Sequence, residues 1–372
     1  MSGAVRHLYV HLPFCSSRCG YCDFVTLVGR REDHGRYVDA LLTELELEHG
    51  LLADGVETVF VGGGTPTFTD PAELGRLLAS LPAAQEVTVE ANPETVTPEL
   101  ATLLRAGGVT RVSLGAQSFE PRLLDVLDRR ARPEDVRRAF YHLRDASFDN
   151  ISLDLIYGIP GQEPADLERD LDEALALRPE HLSCYELEAK PGTRFTYEHG
   201  EELKRQAESM EGYFELVVDT LIAAGYRWYE TANFCRDGHR SRHNLAYWLG
   251  RDYLGLGIGA VSTVEGLRWQ NAPALPRYLA ALEAGEEPPR ELEPLAAATR
   301  VQERLMLGLR LDEEVPFSEV EAAVDLDALA RLESLRLVER RGGGLALTHR
   351  GRFLGGGVTA DLLAEIPAND YN

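Results

Sequence analysis

Leu8-Tyr9-Val10-His11-Leu12-Pro13-Phe14-Cys15-Ser16-Ser17-Arg18-Cys19-Gly20-Tyr21-Cys22 is the stretch on which the reading of this chain turns. A strand-sized apolar run, Leu8–Leu12, leads into a loop with three cysteines spaced C-x3-C-x2-C. Three thiolates at that spacing can grip one face of an iron–sulfur cluster and leave one iron without a protein ligand. An open coordination position is what substrate binding at a metal needs. Structural zinc and buried free thiols are the competing readings. Structural zinc wants four ligands, and His11 is the one nearby candidate for the fourth. The four-cysteine ferredoxin run has a different spacing.

Outward from this stretch, strand-sized runs alternate with helical patterns. The later runs are Thr58–Val61, Val87–Glu90, Arg111–Gly115, Ile151–Ile156 and Leu182–Leu187. Between them, Tyr37, Leu41, Leu42 and Leu45 keep a helical period, as do Leu167, Leu171, Ala174 and Leu175. Pro98 and Pro164 sit where a first helical turn tolerates proline. Six strand–helix units predict a parallel sheet with right-handed crossovers, either open or curled into a complete or partial barrel. Sites in such folds form at the carboxyl ends of the strands. Here those ends carry the cysteines, Gly62-Gly63-Gly64-Thr65-Pro66, Glu90-Ala91-Asn92-Pro93, Gln117-Ser118-Phe119, Asp154 with Tyr157-Gly158, and Tyr185-Glu186. A parallel arrangement puts all six sets on one face.

The pattern changes near residue 225. Arg227–Phe234 reads as one more strand, followed by a polar loop and His243-Asn244-Leu245-Ala246-Tyr247-Trp248. Gly255–Ser262 reads as close-packed backbone. From Thr299 the chain is mainly helical and closes on a hairpin around Gly342-Gly343-Gly344, which predicts a winged-helix-like end over 299–360. The division expected is a core domain at 1–232 and a smaller α+β domain at 233–372.

Composition bounds the function. A length of 372 residues suits one large domain and a smaller one, and 44% hydrophobic residues suffice for a core. The net charge of −23 makes nucleic acid an unfavourable partner, so the winged-helix-like end reads as a packing or interface module. Five cysteines are too few for a disulfide scaffold and point to a reducing, cytoplasmic compartment. No secretory signal and no membrane-spanning apolar run is present in the sequence.

The cysteine triplet with Tyr21, followed one strand later by the glycine run, resembles the radical S-adenosylmethionine (SAM) superfamily. The resemblance implies a partial (β/α)6 barrel and a 4Fe–4S cluster on Cys15, Cys19 and Cys22, whose open iron takes the amino and carboxylate groups of SAM. It also suggests roles for single residues. Gly63, Gly64 and Thr65 would let backbone approach the methionine moiety. Glu90 and Asp154 would accept hydrogen bonds from ribose hydroxyls or the amino group. Gln117 offers donor and acceptor, and Arg129 could clamp the carboxylate. Tyr9 and Tyr21 could pack near cluster or adenine. For each of these, an ordinary barrel-lining group is the alternative.

The resemblance narrows along almost the whole chain. Leu8–Cys15, Asp154–Pro160 and Gly255–Ser262 look like the group of oxygen-independent coproporphyrinogen III dehydrogenases and their haem-chaperone (HemW-type) relatives. The dehydrogenases resemble C-x3-C-x2-C-x-C, whereas Phe24 stands at the last position here, and they carry an extension before the cluster. His243, Asn244, Tyr247 and Trp248 match the HNxxYW motif of the chaperone branch, where it is implicated in haem binding. Imidazole is an ordinary axial haem ligand, and the two aromatics could stack on a porphyrin. A satisfied structural histidine beside core aromatics is the alternative. Cys235 reads as a buried thiol or a further ligand, and Cys184 as core. Leu127-Asp128-Arg129-Arg130-Ala131 departs from the Leu-Gly-Arg-x-His usual in the group, which bears on a local helix start and on the role of Arg129. The expectation is a haem chaperone that binds cluster, SAM and haem and passes haem to an acceptor such as a respiratory haemoprotein, with a homodimer left open. The alternative is the dehydrogenase itself.

Overall fold

The computed structural model describes residues 4–188, 190 and 194–364, so the extreme ends of both expected domains lie outside the described residues. Six parallel strands build the centre. They are β1 (His7–Leu12), β2 (Thr58–Gly63), β3 (Glu86–Ala91), β4 (Arg111–Gln117), β5 (Ile151–Tyr157) and β6 (His181–Glu186), hydrogen-bonded in chain order. Their buried Leu, Val and Ile on both faces are what a parallel sheet covered by crossovers requires. Helices Pro71–Ser80, Pro98–Ala106, Pro133–Asp145 and Pro164–Leu177 each open on a proline, whose missing N–H costs nothing at that position. Asp70 caps the first of these by accepting from Ala72 and Glu73 amides.

The expected strand over Arg227–Phe234 divides in two. β7 (Arg227–Trp228) and β8 (Asn233–Cys235) pair antiparallel with each other, and β8 runs antiparallel to β6. Glu230 causes the break. Its buried carboxylate accepts from the Ala232 amide and the Asn233 side chain and closes the turn. On the other edge, β9 (Leu254–Leu256) runs parallel to β1. The main sheet thus has nine strands, ordered β9-β1-β2-β3-β4-β5-β6-β8-β7. It is a partial barrel, and its hydrophobic core extends to Leu282. The division expected at 232 therefore cuts through this sheet. Gly255 is closely packed, since a Cβ there would lie 2.2 Å from the Val261 carbonyl oxygen.

The C-terminal end has a separate core running from Leu305 to Leu362. Helices Ala297–Gly308 and Leu326–Ser334 pack with a three-stranded sheet of Val315–Pro316, Gly344–Leu347 and Val338–Arg341. Gly342 and Gly343 take positive φ in the hairpin turn, a winged-helix-like arrangement. Among the described residues no helix is long and apolar enough to cross a membrane.

Candidate functional site

The carboxyl ends of β1 to β6 surround a cavity of about 350 Å³. Its rim is the cysteine loop. Cys15 lies in a short strand, Phe14–Cys15, that pairs with Leu27–Val28 and so pins both ends of the loop. Cys15 is buried, while Cys19 and Cys22 are partly exposed. All three face the cavity, with Tyr21 beside them. Burial, partly offset by the Thr65 hydroxyl 3.4 Å away, pushes the Cys15 thiol up to about 11. The Gly20 amide donates to the Leu127 carbonyl at 3.3 Å. The departing segment around Leu127 therefore braces the loop and delivers Arg129 to it. Arg129 donates to Asn92 Oδ1 at 2.9 Å and to the Gly115 carbonyl at 2.8 Å, and reaches Cys19 Sγ at 3.6 Å. Burial works against this cation, but the charges of Tyr21, Cys19 and Glu94 outweigh it and raise its pKa.

The glycine run lies close to neighbouring protein atoms. A Cβ on Gly63, at φ 112°, would meet the His11 ring at 2.6 Å. One on Gly64 would lie 2.6 Å from the Pro13 carbonyl and 3.0 Å from Cys15 Sγ. The glycines are thus required by the approach of the first strand and its loop, whatever also binds there. Thr65 follows, lining the cavity and accepting from Asn92.

Two carboxylates occupy the floor. Glu90 accepts from the Gly63 amide at 3.1 Å, and burial followed by the nearby Asp154 charge pushes it up to about 7. Asp154 accepts from Ser113 at 3.1 Å, and burial raises its pKa as well. Gln117 reaches the cavity from a β-bulge with φ 66°, a left-handed conformation uncommon outside glycine. Among the expected residues, Tyr9 does not line the cavity. Its hydroxyl meets His11 Nδ1 at 3.0 Å and its ring stacks on Phe60 at 6.2 Å. Arg111, Ser113 and Ser183 line the cavity without having been singled out from the sequence, whereas Asn92 stands in the strand end already noted. The first two could have been found, because Arg111, Ser113, Gly115 and Gln117 are alternate residues of one strand and all face inward.

The expected haem residues sit on a short helix, Arg242–Trp248. Asn244 lines the cysteine cavity, whereas His243, Tyr247 and Trp248 do not. His243 is buried with both ring nitrogens engaged, Nδ1 with Thr58 at 2.7 Å and Nε2 with the Tyr247 hydroxyl at 2.9 Å. Burial, then His7 and Arg111, pushes its pKa down to about 3, so the ring is neutral. Tyr247 lines a second cavity. Trp248 lies under the Arg310 guanidinium, 4.2 Å from its ring centre. Cys184 and Cys235 are both buried, and neither lines the cysteine cavity.

A 4Fe–4S cluster was tested against this donor set. Among the described residues, no group of three His, Cys, Asp or Glu side chains is close enough to hold a single metal ion. A cubane makes no such demand, because each thiolate takes a different iron. Three thiols on one loop with a guanidinium donating to one sulfur fit that requirement.

Comparison with known proteins agrees with the architecture. Residues 9–174 match the Radical SAM superfamily, and residues 295–354 match the HemN C-terminal domain. The chain is 39% identical to the heme chaperone HemW of Mycobacterium tuberculosis, covering 98% of this chain and 96% of that one. It is 33% identical to the heme chaperone HemW of Bacillus subtilis, covering 97% of this chain and all of that one. The solved structure of coproporphyrinogen III oxidase (HemN) from Escherichia coli, a radical SAM enzyme, superposes with a TM-score of 0.80 at 25% identity over 96% of this chain and 90% of that one. By its barrel, its C-terminal domain and its full-length identity, the chain belongs to the heme chaperone HemW family of the radical SAM superfamily.

Proposed function

We propose that this chain is a haem chaperone: it holds a 4Fe–4S cluster through Cys15, Cys19 and Cys22, binds SAM across the barrel mouth, binds haem and passes it to an acceptor haemoprotein. The observation that carries the cofactor half is one cavity lined by three thiols, the buried guanidinium groups of Arg111 and Arg129 and the carboxylates of Glu90 and Asp154. The chaperone half rests on the near-complete coverage of the HemW relatives. When bound, the cluster supplies an iron with a free position and a one-electron reductant.

The chain's own groups do the rest. Arg129 offers its charge to the cluster edge through Cys19 and is within the cavity to meet a carboxylate. Glu90 and Asp154 are acceptors for an amino group or ribose hydroxyls, with Ser113 fixing one carboxylate and the Gly63 amide the other. Gln117 adds donor and acceptor together. Tyr21, Phe24 and Ile156 give the cavity apolar wall for an adenine.

Anaerobic reconstitution tests the reading. The wild-type protein is expected to retain iron and sulfide and to bind haemin. Retention of the cluster spectrum after replacing Cys15, Cys19 and Cys22 with Ala would remove the cluster assignment. The fold likeness to HemN favours one rival, coproporphyrinogen III dehydrogenase activity. Phe24, at the position of a further cysteine in chains resembling the dehydrogenases, speaks against it. Protoporphyrinogen formed from coproporphyrinogen under strong reductant would decide for the enzyme.

A further inference from the structure

The second cavity shares no lining residue with the cysteine site. It measures about 700 Å³ and lies between the edge of the barrel and helix Ala297–Gly308. That size is in the range of sites for sizeable organic ligands, roughly 300–1,000 Å³. Part of its lining is aromatic and aliphatic. Tyr247 and Tyr253 meet edge to face at 4.6 Å, and Leu295, Met306 and Leu307 complete the surface. Met306 is 46% exposed, a large side chain left without cover on that wall.

Four arginines also line it, and they are not equivalent. Arg268 is paired with Glu303 at 2.6 Å, and Arg304 with Glu319 at 2.9 Å. Arg251 and Arg300 are exposed, and among the described residues neither has a carboxylate within ion-pair distance. Besides Glu303, two further acids line it, Asp252 and Glu265. Asp252 is occupied by the Glu265 amide at 2.9 Å, and Glu265 is exposed. Two guanidinium groups without a carboxylate partner, beside the aromatic and aliphatic part of the lining, suit a ligand with an apolar body and anionic groups at one edge.

We infer that this cavity is the seat of a tetrapyrrole dicarboxylate, its ring against Tyr247, Leu307 and Met306 and its carboxylates at Arg251 and Arg300. The inference rests on the haem-chaperone reading and locates its cargo. It also separates cargo from cofactor, because the cysteine loop opens into the other cavity.

Haemin titration of the full chain under anaerobic conditions tests this, comparing wild type with the double variant Arg251→Glu, Arg300→Glu. The expected result is affinity weakened by at least about tenfold in the variant, with unchanged thermal unfolding. Iron-free protoporphyrin IX should show the same loss. Its dimethyl ester, which lacks the charges, should not distinguish the two proteins. Met306→Trp, filling the cavity from its exposed side, should also weaken haemin. Wild type that binds haemin with both variants equally tight would overturn the location while leaving the chaperone reading in place. Wild type that fails to bind haemin would overturn that reading itself.

Discussion

Gly64 illustrates what a single residue decides here. The atoms that a Cβ would strike belong to Pro13 backbone, which cannot swing aside as a long side chain could. Gly64→Ala is therefore expected to cost about 1–3 kcal/mol in urea unfolding, as overpacking does. Gly50→Ala, where nothing lies within 4 Å, serves as control. Equal stability of the two variants would show that the first strand relaxes freely. His243 makes a different point. Both its ring nitrogens are engaged within the protein, so under the proposed function an influence on haem would run through the Tyr247 hydroxyl. His243→Ala should weaken haemin binding without moving the Soret maximum. A shifted maximum would make His243 an iron ligand after all. The histidine was readable as a residue of interest from its motif, but its orientation was not, because Thr58, its partner, stands 185 positions away.

Individual elements were largely readable, since apolar period and proline placement follow from local sequence. The six barrel strands and the openings at Pro98 and Pro164 agree with what periodicity predicts. Arg227–Phe234 differs because the buried Glu230 carboxylate bends the chain, a tertiary effect that no apolar pattern reports. A second long-range contact joins helix Pro164–Leu177 to the loop after β4. Asp170 accepts from the Ser118 hydroxyl and the Phe119 amide and so holds the segment that presents Gln117. Burial pushes Asp170 up to about 7. Between the ordinary carboxylate range and that value, the folded state holds a proton that the unfolded chain has lost. The stabilisation is complete at low pH and disappears as pH rises through about 7. The melting temperature of wild type relative to Asp170→Asn should accordingly fall between about pH 5 and about pH 8. A difference independent of pH would show that Asp170 titrates as an exposed acid.

At the scale of the whole molecule, the cysteine cavity was readable because one strand end after another contributes to it in sequence order. The second cavity was not, since its walls come from an edge loop and a helix about 50 residues later that only folding brings together. The seven-residue helix Arg242–Trp248 lends a residue to each space, Asn244 to one and Tyr247 to the other. A helix that touches both spaces couples them if either ligand shifts it. Occupants of the two sides must then exchange free energy, and reciprocity requires the exchange to be equal in both directions. SAM should change the haemin dissociation constant by roughly fivefold or more, and haemin should change that of SAM by the same factor. Titrations of each ligand with and without the other measure both factors, and factors of one would mean a rigid wall. If they match and differ from one, this helix of about two turns makes the chain a device in which cofactor status sets how firmly the cargo is held.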